Sequence, residues 1–285
     1  MEKNRNGRLK TPRFPPKPTP TYAHGPCPGG RPVCYSPSVN VRTCRSLASL
    51  GAVILAALLC ARVLAQTAPT PPLASVYQMG TASRDGIGKF YYQREIAHIM
   101  GFEGAAWLER PDRQAEERTD LLMEALGLAP GMSVADVGAG SGYLSKLMAP
   151  LIAPGTLFAV DVQPQMLQLL KELAALPGMR NIMPVLGSPD SVNLRKNSID
   201  LAVMVDVYHE LSEPHEIVQS ILWALKPGGR LVLVEYRGED PKVAIKPLHK
   251  MTVAQIRLEM NAFPLTFERT DERLPIQQIV IFRKL

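Results

Sequence analysis

The chain has 285 residues, of which 46% are hydrophobic, so it can form one large domain or two small ones with an ordinary buried core. Its formal net charge of +6 suggests an anionic partner, but residues 1–45 hold the excess of Lys and Arg and the remainder is slightly acidic. We therefore expect no nucleic-acid partner. The four cysteines all lie at or before Cys60, which excludes a disulfide framework and a thiolate metal site in the rest of the chain.

The first 83 residues divide into three segments by composition. Residues 1–45 are basic and proline-rich without apolar periodicity, which is typical of a disordered tail. Residues 46–66 contain a short apolar run, 47–61, that follows basic residues and precedes Val63-Leu64-Ala65. This pattern predicts a secretory signal peptide, or alternatively a short membrane anchor. Residues 67–83 are predicted to form a polar linker.

These segments predict where the protein is found. We expect it to be exported or anchored at a membrane, with a cytoplasmic location as the alternative. A signal peptide normally begins close to its initiator, so we also expect the true start near Val39 or Val41.

Residues 84–128 are predicted to form a helical N-terminal cover. A helical pattern spans Tyr91–Met100, and a charged helix with one apolar stripe runs from Pro111 or Asp112 to Leu126. Trp107 and Leu108 are expected to pack against the sheet edge. The residues Tyr91, Tyr92, Arg94 and His98 fit either a lid or a scaffold.

The stretch Ser133–Ser145 is predicted to form a buried strand, a glycine turn and the first turn of a helix. Glycines allow positive φ and the close approach of a ligand, and the helix N-terminus behind them offers unpaired N–H groups. The dinucleotide fingerprint G-x-G-x-x-G would place its third glycine at position 143, where this chain has Tyr143. The third glycine is instead Gly142, which argues against a dinucleotide enzyme.

The pattern D-x-G-x-G-x-G, starting at Asp136, resembles motif I of the class I S-adenosylmethionine-dependent methyltransferases. Asp161, at the end of the next predicted strand, is placed to accept hydrogen bonds from ribose hydroxyls, although it could instead cap the helix beginning at Pro164. The segment LKPGGRLVLVEY, residues 225–236, resembles the loop and fifth strand of the same family. The general layout resembles the small-molecule, quinone-biosynthesis branch.

This resemblance implies the architecture of residues 129–285. The expected fold is α/β, a doubly wound, mostly parallel seven-stranded sheet with an antiparallel last strand. The segment 237–251 is a long polar insertion after the fifth strand, and its sequence predicts no function for it.

The resemblance also implies the cofactor, S-adenosyl-L-methionine, and its binding residues. The acid that usually follows the third strand is replaced here by Gly187 or Ser188, so Asp190 is the nearest candidate for the adenine contact. The predicted cofactor-binding residues are Asp136, Gly138, Ala139, Gly140, Gly142, Tyr143, Asp161, Val162, Ser188, Asp190 and Asp206.

Catalysis is expected to depend chiefly on orientation, with a possible general base. His209, just after the fourth strand, is the first candidate because histidine titrates near neutrality, and Glu210 and Glu235 follow. A metal site built from His209, His215 and Glu210 is conceivable, but its spacing matches no zinc signature, so no metal is predicted. The expected acceptor is small or lipid-like; a protein methyltransferase and a non-catalytic cofactor-binding module are the alternatives.

Overall fold

The computed structural model describes residues 76–285. The predicted basic tail, the signal peptide or anchor and most of the linker therefore lie outside the described residues. Within residues 76–285, no helix is long and apolar enough to cross a membrane.

The described part begins with a small antiparallel sheet, of order β1-β2-β3. Its strands are β1 (Tyr77–Met79), β2 (Gly86–Tyr91) and β3 (Arg94–Ala97). The predicted helix at 91–100 and the linker prediction at 77–79 are therefore wrong. Tyr92 and Gln93 both have positive φ, 47° and 67°, and form a two-residue turn that matches strand twist. No Gly or Asn marks this turn, so no residue pattern indicated a hairpin.

Short helical pieces connect this sheet to the main one. They are α1 (Ala105–Leu108), α2 (Arg113–Glu117) and α3 (Thr119–Leu126), with a 3-10 turn at Phe102–Gly104. The single charged helix predicted from residue 111 or 112 is interrupted at Arg118, whose φ of 53° is left-handed. A left-handed residue cannot continue a right-handed helix, so α2 and α3 are separate.

The main sheet has the strand order β10-β11-β8-β7-β4-β5-β6, with a short strand β9 paired to β8. Its members are β4 (Val134–Val137), β5 (Leu157–Asp161), β6 (Ile182–Leu186), β7 (Ile199–Val205), β8 (Leu225–Arg237), β9 (Lys250–Met251), β10 (Leu265–Asp271) and β11 (Gln277–Lys284). Strands β4 to β8 are parallel, whereas β11 is antiparallel to both β8 and β10. The predicted seven-stranded sheet is confirmed, and β9 extends it.

Helices cover both faces of this sheet. They are α4 (Tyr143–Ile152), α5 (Pro164–Ala175), α6 (Pro214–Ala224) and α7 (Val253–Met260). One apolar core joins α6 and α7 to the sheet, and a second joins α3, α4 and α5. Alternate strand residues enter the two cores, as Leu233 and Val234 of β8 do. The fold is therefore doubly wound, and the carboxyl ends of its parallel strands share one edge.

Candidate functional site

The glycine turn after β4 has the backbone that its sequence predicts. Gly138 and Gly140 have φ of 74° and 56°, a region that favours glycine. A Cβ on Gly138 would lie 2.5 Å from a methyl carbon of Val207, so a larger residue is excluded on steric grounds as well. The turn therefore keeps bare backbone at the edge of the sheet, where a ligand can approach closely.

Asp161 holds this turn against the end of β5. One carboxylate oxygen accepts the N–H of Gly140 at 2.9 Å, and the other accepts the N–H of Gln163 at 2.9 Å. Asp161 is 5% exposed, and burial raises the pKa of its carboxyl although these backbone donors act in the opposite direction. Asp161 thus organises the turn and the start of α5 while its side chain stays on the wall of a cavity.

That cavity has a volume of about 640 Å³, within the usual range for small-ligand sites. It lies over the carboxyl ends of β4, β5, β6 and β7, where ligands bind in open α/β sheets. Aliphatic side chains and backbone form much of its wall. The predicted site residues on the wall are Gly138, Gly140, Asp161, Val162, Ser188, Asp206, His209 and Glu210.

The other predicted site residues do not line the cavity. The carboxylate of Asp136 accepts the hydroxyl of Ser145 at 2.6 Å, behind the glycine turn. Exposed Asp190 accepts the hydroxyl of Ser188 at 2.6 Å. Glu235 is fully buried and contacts the cavity only through His209. Ala139, Gly142 and Tyr143 belong to the turn and the start of α4 and are also absent from the wall.

The segment before the main sheet covers one side of the cavity. The backbone N–H of Met100 donates to Glu210 at 3.0 Å, and its carbonyl accepts from Gln163 at 2.9 Å. Trp107 and Leu108 also line the cavity, so the expectation that they only pack at the sheet edge is wrong. Backbone contacts of this kind carry no residue pattern, which explains why the sequence did not reveal them.

Arg94 and Tyr91 have structural roles and do not form a lid over the cavity. The Arg94 guanidinium pairs with both carboxylate oxygens of Glu259, at 2.8 and 3.0 Å, and donates to the carbonyl of His209. Tyr91 is fully buried. His98, by contrast, is exposed and lies on the cavity wall, whereas exposed Tyr92 does not.

Two buried polar atoms on the cavity wall have no hydrogen-bond partner among residues 76–285. They are one carboxylate oxygen of Asp206 and the hydroxyl of Tyr236. The other oxygen of Asp206 accepts the amide of Gln277 at 2.6 Å. Burial, reinforced by the charge of Glu235, raises the pKa of Asp206 well above its ordinary value. Unpartnered buried polar atoms beside a cavity indicate that a polar ligand group completes them.

A cluster of histidines and acids forms another part of the wall. His209 and Glu210 lie in the 3-10 turn Tyr208–Glu210 after β7, and His249 lies in the 3-10 turn Pro247–His249 after β8. Nδ1 of His209 is 2.7 Å from Glu235, and its Nε2 is 3.1 Å from Nδ1 of His249. The sequence missed His249, which lies in the polar insertion 237–251.

His215, the second histidine of the conceivable metal set, is not part of this cluster. Its Nδ1 is 3.3 Å from the hydroxyl of Tyr91 and its Nε2 is 3.0 Å from Gln219. His215 lies six residues after His209, whereas His249 lies forty residues away and reaches the cluster because β7 and β8 are neighbours. Proximity in the sequence suggested His215 as the partner of His209, whereas the structure places His249 beside His209.

Burial and neighbouring charges together set the pKa values of the cluster. It raises the pKa of Glu210 to about 7 and lowers the pKa of His249 to about 4, with the neighbouring His209 acting in the same direction on His249. Burial also disfavours a charged His209, but the carboxylate of Glu235 outweighs it and the pKa of His209 is raised. Burial thus favours the neutral forms of Glu210 and His249, whereas the carboxylate of Glu235 favours a protonated His209.

Comparison with known proteins agrees with this geometry. The family described as "Methyltransferase domain" matches residues 135–233, which run from β4 into β8 and include the glycine turn, Asp161 and His209. Residues 135–233 form a methyltransferase domain of the class I, S-adenosylmethionine-dependent family. The predicted family and its cofactor are thereby confirmed.

Curated relatives of this methyltransferase domain include protein methyltransferases and methyltransferases of quinone biosynthesis. The chain is 26% identical to a protein-L-isoaspartate O-methyltransferase of Pyrococcus horikoshii, over 40% of this chain and 48% of the relative. It is 26% identical to the ubiquinone/menaquinone biosynthesis C-methyltransferase UbiE of Legionella pneumophila, over 50% of this chain and 67% of the relative. It is 32% identical to a mitochondrial ubiquinone biosynthesis O-methyltransferase of Schizosaccharomyces pombe, over 36% of this chain and 37% of the relative. The chain spans about half the length of the first curated relatives that it matches.

Solved structures share the fold of the methyltransferase domain. A SAM-dependent methyltransferase from Aquifex aeolicus superimposes with a TM-score of 0.62 and 22% identity, covering 66% of this chain and all of that one. The cyclase SpnF superimposes with a TM-score of 0.51 and 19% identity, covering 59% of this chain and 79% of that one. At these identities the likeness establishes the fold alone.

Proposed function

We propose that this protein transfers a methyl group from S-adenosylmethionine to a small or lipid-like acceptor. The observation that carries the proposal is one cavity whose wall joins the glycine turn and Asp161 to the histidine cluster. A cofactor and a second molecule can therefore lie side by side in one cavity. When bound, the cofactor supplies a sulfonium that makes its methyl carbon electrophilic.

The residues of the cavity suit each end of this cofactor. Gly138 and Gly140 leave room for a close approach, and the acid of Asp161 follows β5, where a ribose is held in related α/β folds. The unpartnered atoms of Asp206 and Tyr236 suit a polar amino-acid end, because an ammonium group would satisfy both. Asp136 would act indirectly, by fixing the turn through Ser145.

The remaining wall suits a mainly apolar acceptor. Ile99, Met100, Trp107, Leu108 and Ile245 contribute apolar side chains there. Several relatives are named for ubiquinone and menaquinone biosynthesis, and a phenolic ring with an isoprenoid chain has the matching chemistry. The chain's own contribution is to bind both molecules, orient them and exclude water, which can supply several kcal/mol, on the order of 7–11 in favourable cases.

Calorimetry and radiolabel transfer test this proposal. Purified full-length protein should bind S-adenosylhomocysteine, and methyl label from S-adenosylmethionine should move to a phenolic lipid fraction. Binding without transfer to any extract fraction would support the alternative of a non-catalytic cofactor-binding module. Absence of binding by folded protein would refute the proposal.

A protein acceptor is the second candidate, because relatives named protein-L-isoaspartate O-methyltransferase also match the chain. Label appearing in peptides that contain isoaspartate, and not in the phenolic lipid fraction, would favour it.

The location of the protein stays a proposal. We propose export or membrane anchoring from the apolar run at 47–61, which requires that the cytosolic cofactor reach the catalytic domain. Cell fractionation with sequencing of the mature N-terminus tests this. A soluble cytosolic protein that retains residues 46–66 would contradict it.

A further inference from the structure

The histidine cluster brings together ligands of the kind that bind a transition metal. His209, Glu210 and His249 each offer one ligand atom, and these three atoms lie within 4.8 Å of one another. Two imidazoles and one carboxylate are a common set for zinc, iron or manganese, and catalytic sites of this kind keep further coordination positions open. All three residues line the cavity, so open positions would face the bound acceptor.

The surroundings of the three side chains resemble the outer shell of a metal site. Glu235 holds Nδ1 of His209 at 2.7 Å, and both side chains are buried. This contact leaves Nε2 of His209 directed toward His249, in the carboxylate–histidine arrangement that orients metal ligands. Glu210 uses one oxygen to accept the N–H of Met100, which leaves its other oxygen without that constraint.

The turns that carry these ligands are also fixed. The guanidinium of Arg94 donates to the carbonyl of His209 at 3.0 Å while paired to buried Glu259. Strand β9 pairs with β8 immediately after His249 and holds the second turn beside the first. A preorganised set of three ligands reduces the ordering entropy that metal binding must overcome.

We propose that His209, Glu210 and His249 bind one divalent transition metal, whose open positions hold an oxygen of the methyl acceptor. The metal would lower the pKa of a coordinated phenol or hydroxyl, so that its proton leaves to solvent as the acceptor binds, and it would orient the resulting oxyanion to form the O–CH3 bond as the S–CH3 bond of the cofactor breaks. This places the activation of the acceptor on the metal, and His209 would serve as a ligand instead of the general base predicted from the sequence. The role toward the acceptor rests on the proposed function, whereas metal binding itself does not.

The test uses the full-length protein, treated with a chelator, dialysed and titrated with Zn²⁺ or Co²⁺. We expect one metal per chain by calorimetry, together with visible absorption bands from the cobalt form. His249→Ala should lower the affinity at least as much as Glu235→Gln, for which a loss of about 10–100-fold is expected. His215→Ala is the matched control and should leave the affinity unchanged, because His215 faces Tyr91 and Gln219.

Several results would overturn the proposal. One is metal binding no stronger in the wild type than in a correctly folded His249→Ala variant; another is equal loss in His215→Ala. Glu210→Gln provides a second ligand variant if His249→Ala misfolds, which circular dichroism detects. A catechol added to the cobalt form should change its visible bands, and an unchanged spectrum would overturn the acceptor role.

Failure of this inference and failure of the proposed function can be told apart. Calorimetry with S-adenosylhomocysteine on the chelator-treated protein reports the cofactor end of the cavity independently of metal. Cofactor binding without metal binding refutes only the metal site. Metal binding without cofactor binding refutes the proposed function.

Discussion

Two acids near the cavity differ in a way that only their contacts reveal. Asp161 lies on the cavity wall and accepts two backbone N–H groups, whereas exposed Asp190 does not line the cavity and accepts the hydroxyl of Ser188. The sequence analysis predicts both as cofactor-binding residues. Their contacts predict that Asp161 is essential for cofactor affinity and that Asp190 is not.

We therefore expect Asp161→Ala to lower the affinity for S-adenosylhomocysteine by about 5- to 150-fold, because ligand hydroxyl groups and turn N–H groups left without this acceptor cost about 1–3 kcal/mol. Calorimetry measures the change, and Asp190→Ala is the control expected to bind as tightly as the wild type. An Asp161→Ala protein with normal affinity, or a weakened Asp190→Ala, would contradict this assignment.

Asp136 is a buried acid whose ionisation opposes folding. Burial raises its pKa to about 6, whereas the carboxyl in the unfolded chain ionises near its ordinary pKa of 3.8. Between those pH values the folded protein holds a proton that the unfolded chain has lost, so this group makes stability fall as pH rises. The loss is complete above about pH 6 and amounts to about 3 kcal/mol.

Asp136→Asn should remove this pH dependence, because the amide does not ionise. Urea unfolding of the ligand-free protein at pH 4 and pH 7 should show a stability gain for the variant that is larger at pH 7. Asp190→Asn, at an exposed acid, serves as the control and should follow the wild type. An equal difference in the free energy of unfolding between Asp136→Asn and the wild type at both pH values would show that the pKa of Asp136 is not raised in the folded protein.

At the scale of secondary-structure elements, one ion pair ties the N-terminal hairpin to α7. The side chains of Arg94 and Glu259 are 10% and 0% exposed, and removing one member leaves the other charge buried without compensation. We expect Glu259→Ala to lower the free energy of unfolding by about 3–5 kcal/mol. Chemical denaturation measures this loss.

The double variant Arg94→Met/Glu259→Leu should recover much of the loss, because no unpaired charge remains. Asp120→Ala breaks the exposed pair with Arg118 and should change stability far less than Glu259→Ala, because solvent screens exposed charges. Equal effects of Glu259→Ala and Asp120→Ala would mean that the hairpin is not anchored by this pair.

The sequence predicted elements well where local signals were strong. The glycine turn, the strand β7 and the helix starting at Pro164 carry their own patterns, and the structure has them where expected. The hairpin at 86–97 was missed because its turn residues, Tyr92 and Gln93, are not those that usually adopt positive φ. The general rule that strand ends meet at one edge located the site, and it also brought His209 and Glu210 to the cavity.

What sequence reasoning could not supply is contact between distant segments. His249 meets His209 only because the insertion after β8 folds back beside the turn after β7. Met100 reaches Glu210 through its backbone, which no side-chain pattern encodes. Contacts between segments distant in the sequence therefore form part of the cavity wall.

At the scale of the whole molecule, the cavity joins segments from residue 87 to residue 249, so a ligand inside it should stabilise the fold as a unit. S-adenosylhomocysteine at 100 times its Kd should add about 2.7 kcal/mol to the free energy of unfolding. For a domain of this size the melting temperature should rise by roughly 5–11 °C.

Differential scanning calorimetry checks this rise, with Asp161→Ala at the same ligand concentration as the comparison. A single transition that moves upward in the wild type and much less in the variant is the expected result. A ligand-insensitive transition in the wild type would contradict the location of the cofactor.

The placement of β11 between β8 and β10 has a consequence for synthesis and quality control. Among the strands of residues 76–285, β10 pairs with β11 alone, so it cannot join the sheet until the residues after 276 have emerged. Until then the Leu- and Val-rich flank of β8 offers unpaired backbone groups to any other chain. A nascent or prematurely terminated product that ends before Gln277 should therefore self-associate and depend on chaperones. In the finished chain, the hairpin of β10 and β11 covers this edge of β8.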